Sequence, residues 1–224
     1  MKNDKYEITD ITHEKYPFLH RIRALRDIGN DVKAGDLGGF VESDENLSYE
    51  KDDEAWIYDD AIACDRSRVE KYAQMKENAV TRNDACVSKA SVMKGESRAE
   101  DSAYISGAYL FEKARVRGKA MVLAHPKTAL SPTITGNANV SGTVIGAVHI
   151  KDYALVFRWE VICSESSDII TISGEKRKIL RDEEKDDLAY GRSPSNHRES
   201  KAKVTIQSGG QRHRKRQDSQ LVKG

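Results

Sequence analysis

The sequence predicts an all-β fold, a single-stranded parallel β-helix, on three observations. A small residue recurs at every sixth position through nine consecutive repeats: Ala55, Ala61, Ser67, Ala73, Ala79, Ala85, Ser91, Ser97 and Ala103. Two residues after each comes a mostly apolar partner: Ile57, Ala63, Val69, Met75, Thr81, Val87, Met93, Ala99 and Ile105. The positions between are polar or turn-forming, among them Asn78, Asn83, Asp84, Gly95, Gly107, Gly118 and Asn137. A helical face would place apolar residues at spacings of three, four and seven. An ordinary amphipathic strand would alternate along its whole length. A short strand followed by a corner satisfies the period of six. Three such units close a coil of about 18 residues, and successive coils stack at about 4.8 Å.

Residues 1–52 form the N-terminal part. The segment KYEIT, a turn around Thr12 to Glu14, and FLHRIRAL with alternating Phe18, His20, Ile22 and Ala24 read as a β-hairpin cap. An open coil end exposes unpaired strand groups and invites aggregation, which a cap prevents. The Gly-rich GDLGGF at 35–40 reads as a tight connection into the coil, since it lacks the GxxxxGK spacing of a phosphate loop. The coil then occupies 53–157. Its register loses one residue near Tyr109, resumes at Ala108, Ala114 and Ala120, breaks at LAHPKTALSP (123–132), and recovers at Pro132 and Ala138. A further shift gives Gly142, Val148 and Ala154. Roughly seventeen hexads amount to between five and six coils, a rod on the order of 25 Å long. At 158–180, EVIC, DIITIS and KIL read as short C-terminal strands. The stretch 181–224 is polar and charged and reads as a disordered tail.

Composition agrees with a thin, elongated core: 33% of residues are charged and 38% hydrophobic. The net charge of +1 gives the whole molecule no strong preference for a charged partner. Locally the balance breaks. Nine acids between Glu42 and Asp60 face one base, Lys51, whereas Arg212, Arg214, Lys215 and Arg216 make the tail basic. Cys64, Cys86 and Cys163 are far apart with no CxxC pair, so neither a disulfide framework nor a zinc site is expected. A reducing cytoplasm suits them. No stretch approaches the roughly 18 apolar residues of a membrane span, so no membrane association is expected.

The N-terminal hairpin together with NDVKAGDLGGFVESDENLS (30–48) and EAWIYDDAIA (54–63) resembles the YdcK-like left-handed β-helix proteins of phages, prophages and bacteria. The likeness covers residues 5–157. It implies left-handed winding and a phage or prophage setting, in which a host protein is a conceivable target. Such proteins carry transferase labels by analogy with hexapeptide acyltransferases.

Residues one after the small position point outward, and every third hexad stacks on the same face. Trp56, Gln74, Val92 and Tyr109 are therefore expected to form one ladder, and Arg68, Cys86, Tyr104 and Met121 another. Exposed apolar ladders mark a contact surface, so a homo-oligomer packed on one of these faces is expected, unless the terminal strands cover it. Asp59 and Asp60 belong to the acidic run, which reads either as a solvated face or as a negative ladder for a basic protein groove.

Three functional readings follow. The first is a non-enzymatic protein-binding scaffold with no cofactor and no metal. The second is an acyltransferase with His125, in the 123–132 interruption, as general base and an acyl-CoA-type donor between subunits. Two features weigh against it. Pro126 and Pro132 also suit a simple surface insertion, and the repeat lacks the aliphatic-Gly pairs of the enzymes: Tyr58 follows Ile57, and Glu70 follows Val69. His149, one residue before Ile150, reads as a solvated surface residue. The third reading is nucleic-acid association through RHRKRQ, which has no aromatic residue interleaved for base stacking.

Overall fold

In a computed structural model that describes residues 3–180 and 205–208, the chain is an all-β solenoid of about 7 turns, the left-handed parallel β-helix expected. Its three walls are continuous sheets of nine, eight and seven strands. Face I begins with the antiparallel strands β1 (Tyr6–Thr12), β2 (His20–Ala24) and β3 (Leu37–Val41), then runs in parallel from Ile62–Ala63 to Leu155–Val156. Face II runs from Trp56–Ile57 to Lys176–Leu180, and face III from Arg68–Val69 to Thr205–Ser208.

The hexad pattern explains the interior. The small residues Ala55, Ala61, Ser67, Ala73, Ala79 and their successors are completely buried where the wall bends, and the partner two residues later fills the centre. Along face II the inner column is Ile57, Met75, Met93, Leu110, Ile134, Ile150 and Ile172, each paired with the next. Burial of each such side chain contributes about 1.5–3 kcal/mol. The lost residue near Tyr109 is real, because Val92 pairs with Tyr109 rather than Leu110. A left-handed turn at Gly107, φ 64°, makes that shortened corner.

The corners have their own ladder. Asp59, Asp65, Glu77, Asn83, Asp101 and Glu112 all have positive φ. Their side chains accept the backbone amide of the equivalent corner one coil on: Asp59 from Glu77, Asp65 from Asn83, Glu77 from Gly95, Asn83 from Asp101, Asp101 from Gly118 and Glu112 from Gly136. Short polar side chains tolerate the left-handed region, and an acceptor here satisfies an amide that the strand ladder cannot reach.

The coil extends past the expected 53–157 at both ends. β3 pairs in parallel with Ile62–Ala63, and Leu47 bridges Val69, so the Gly-rich lead-in is already wall. Glu160–Cys163 and Ile169–Ser173 pair in parallel with Thr143–Ile145 and Val148–Lys151, adding wall after Phe157. The hexad pattern does not reach these parts, because Gly38 and Gly39 replace the repeat residues and a long corner at 164–168 breaks the phase. Lys176–Leu180 closes the C-terminal edge of face II as an antiparallel strand. Thr205–Ser208, within the stretch expected to be disordered tail, adds antiparallel to Glu160–Cys163. The remaining tail lies outside the described residues.

Candidate functional site

The two outward ladders occur in the expected register. Trp56 pairs with Gln74, Gln74 with Val92, and Val92 with Tyr109 on face II; Arg68, Cys86, Tyr104 and Met121 follow one another on face III. Their exposure does not follow the register, however. Trp56 is only 1% exposed. Tyr6 meets it edge-on at 6.3 Å, and Gly38 is packed so closely that a Cβ there would lie 2.7 Å from the indole Cζ2. Trp56 is thus the anchor of the N-terminal cap and not a contact residue. Val92 is half-buried, whereas Tyr109 is exposed and stacks against Phe111 at 6.1 Å.

On face III the outer surface changes character along the axis. Its first coils carry Arg68, Glu70, Cys86 and Ser88 at the outward positions, with Arg68 exposed and Cys86 and Ser88 buried. Its later coils present Tyr104, Met121, Thr143 and Val161 in one row, and Leu123, Ile145 and Cys163 in the next. Met121 is 42% exposed, and Tyr104, Leu123, Ile145 and Val161 are half-buried. The second row lies three residues after the small position, where earlier coils carry Glu or Ser. That switch from polar to aliphatic is the sequence signal that marks it.

The acidic run is used internally. Asp59 holds the Glu77 amide at 2.9 Å, and Asp60 pairs with Arg21 of β2 at 2.6 Å, tying the cap to the coil. Glu42 accepts the Asp65 amide at 2.7 Å. Glu42, Cys64 and Asp65 converge within 4.8 Å, but both carboxylates already accept amides, and burial, helped by Asp65 and Glu42, pushes the Cys64 thiol up to about 11. Burial also pushes Cys86 up to about 11 and raises Cys163.

His125 lies in a closed loop. Its amide donates to Leu130 O and its carbonyl accepts from the Ala129 amide, both at 2.8 Å. Its imidazole Nδ1 faces the amides of Lys127 and Thr128 at 3.4 and 3.2 Å. These contacts hold the ring against its own loop. His13 shows the same arrangement with the amides of Lys15 and Tyr16. These histidines cap turns. His125→Ala is therefore expected to cost about 1 kcal/mol and to speed proteolysis within 124–131, measured by urea unfolding and limited digestion. His149 is exposed on face II, as expected.

No family model matches the chain, and no curated protein matches it in sequence. Among the described residues no helix is long and apolar enough to cross a membrane.

Proposed function

We propose that the protein is a non-enzymatic scaffold that assembles through the later coils of face III with a second copy of itself. The apolar double row Tyr104–Met121–Val161 and Leu123–Ile145–Cys163 carries this reading. The rows follow successive coils and carry no charged side chain, with Thr143 between Met121 and Val161 as their one hydroxyl besides Tyr104, so the surface that best matches them is a mostly apolar one. An isologous contact supplies that match with the same patch. The acyltransferase alternative, with His125 as base and an acyl-CoA-type donor, is the second reading; the turn-capping contacts of the His125 ring favour the scaffold over it. The YdcK-like segment supports a phage or prophage setting, and three protonated thiols suit a reducing cytoplasm.

Light scattering at micromolar concentration is expected to give twice 25.1 kDa, a dimer. The double variant Met121→Glu/Ile145→Glu should return the single-chain mass with an unchanged far-UV circular dichroism spectrum. A single-chain mass for the unmodified protein would overturn the proposal, as would a variant that folds and still assembles.

A further inference from the structure

The corner between faces I and III changes length from coil to coil. In one coil it contains Arg117, Gly118, Lys119 and Ala120; in the next it shrinks to Ser141 and Gly142; in the coil after that it widens again to Phe157, Arg158 and Trp159. Gly142 enforces the shrinkage, since a Cβ there would lie 2.5 Å from Glu160 O. The short corner between two long ones leaves a groove of about 650 Å³, lined by Arg117, Lys119, Arg158, Asp101, Gly118 and Ser141.

This groove is positive. Arg117 is fixed by a hydrogen bond from its Nε to Asn139 Oδ1 at 3.1 Å, and Lys119 and Arg158 have no ion-pair partner among the described residues. The one acid in the lining, Asp101, already accepts the Gly118 amide at 2.9 Å. Phe157 and Trp159 flank Arg158 and stack on each other, with ring centroids 5.0 Å apart and planes 3° from parallel. They are nevertheless 46% and 50% exposed, so aromatic surface stays open to solvent beside the cations.

A third observation converges on the same corner. The antiparallel pairing of Thr205–Ser208 sets Ser208 opposite Glu160, the residue after Trp159. The basic run Arg212, Arg214, Lys215 and Arg216 begins four residues later in the chain. The sequence after Ser208 has no Phe, Tyr or Trp, and Ser208 itself sits beside the residue that follows the aromatic pair.

We infer that this corner binds single-stranded nucleic acid, with a base stacked on the Phe157–Trp159 pair and phosphates on Arg117, Lys119 and Arg158. Open aromatic faces beside a cationic groove are the two elements of sequence-tolerant single-strand binding. A duplex offers no free base face to the rings, and a phosphopeptide would use the cations alone. None of these residues belongs to the face III rows, so the corner variants and the Met121→Glu/Ile145→Glu variant test the two readings separately.

The test uses the full-length chain and a labelled oligo-dT of about 12 nucleotides, followed by fluorescence anisotropy at low salt. Saturable binding is expected, together with quenching of Trp159 fluorescence. Trp159→Ala should weaken binding by about tenfold, with buried Trp56 reporting that the fold is intact. The triple variant Arg117→Ser/Lys119→Ser/Arg158→Ser should flatten the dependence of log affinity on log salt by about 2. Replacing Arg212, Arg214, Lys215 and Arg216 by Ser should flatten it further and leave residual binding. Three results would each overturn the inference: no binding by the unmodified protein, equal affinity for duplex, or binding that survives both corner variants and vanishes with the tail variant. Full competition by inorganic polyphosphate with no effect of Trp159→Ala would reduce the site to a general anion groove and reject the stacking role.

Discussion

Gly39→Ala is expected to destabilise the fold strongly, a larger effect than any surface substitution in the protein. β3 runs beside the wall with the Phe40 amide bound to Ala61 O at 2.8 Å. A Cβ on Gly39 would overlap that same Ala61 oxygen and lie 2.5 Å from Ile57 Cγ2. Neither neighbour can yield, because one is a ladder acceptor and the other a completely buried side chain. Relief requires β3 to leave its pairing with Ile62–Ala63, which would expose Trp56 and Tyr6 beneath the cap. The cost is expected to exceed about 3 kcal/mol, a large share of a total stability of about 5–15 kcal/mol. Gly35→Ala is the control. Gly35 has φ +96°, but a methyl group on it would meet nothing within 4 Å, so the substitution bears backbone strain alone, about 1–3 kcal/mol. Thermal melts followed by Trp56 emission separate the two: a Gly39→Ala protein that melts with or above Gly35→Ala would refute the packing argument.

Glycine at 39 also shows why part of the fold is hidden in the sequence. The hexad is legible wherever a small residue and an apolar partner line the interior, since each coil imposes the same two requirements. The stacking of every third hexad follows from that count, and it aligns Trp56 with Gln74 and Arg68 with Cys86, as the strands pair. The first wall strand reads as a connection because close approach there removes the side chains that make the pattern. Exposure is not legible at Trp56, because a cap built from residues far along the chain covers it and a local period cannot report that. The acids at Asp59 and Asp60 look like a charged face because their partners are one coil or one cap away. Corner length, which makes the Arg117–Arg158 groove, depends on insertions between hexads and not on the hexads themselves.

Asp53→Ala is expected to cost about 3–5 kcal/mol, through a buried carboxylate that serves three amides. Its Oδ1 accepts from Ala55 at 2.8 Å and Tyr72 at 3.0 Å, and its Oδ2 from Lys71 at 2.7 Å. Lys71 and Tyr72 both have positive φ, 53° and 66°, so the carboxylate holds two consecutive left-handed residues in place. Burial opposes its ionisation, yet hydrogen bonds from Ser48 and from these amides outweigh burial and hold the carboxyl below its ordinary 3.8. The unfolded chain therefore takes up this proton first on acidification. The Asp53 contribution is complete above about pH 4 and is lost as pH falls through the depressed folded value. Lys5 adds a second signature. It is completely buried, donates to Ser48 O at 2.7 Å, and burial lowers its ammonium to about 8 although the Asp53 charge supports it. Between about pH 8 and 10.5 the unfolded chain holds the Lys5 proton that the folded chain has released, so this group's contribution rises with pH across that window. Without Asp53 the ammonium loses its supporting charge, and the lower edge of the window moves below 8. Urea unfolding of the native and Asp53→Ala proteins across pH reads both effects as the difference between the two curves. A difference that stays constant from acid to alkali would show that neither the carboxylate nor its coupling to Lys5 contributes as argued.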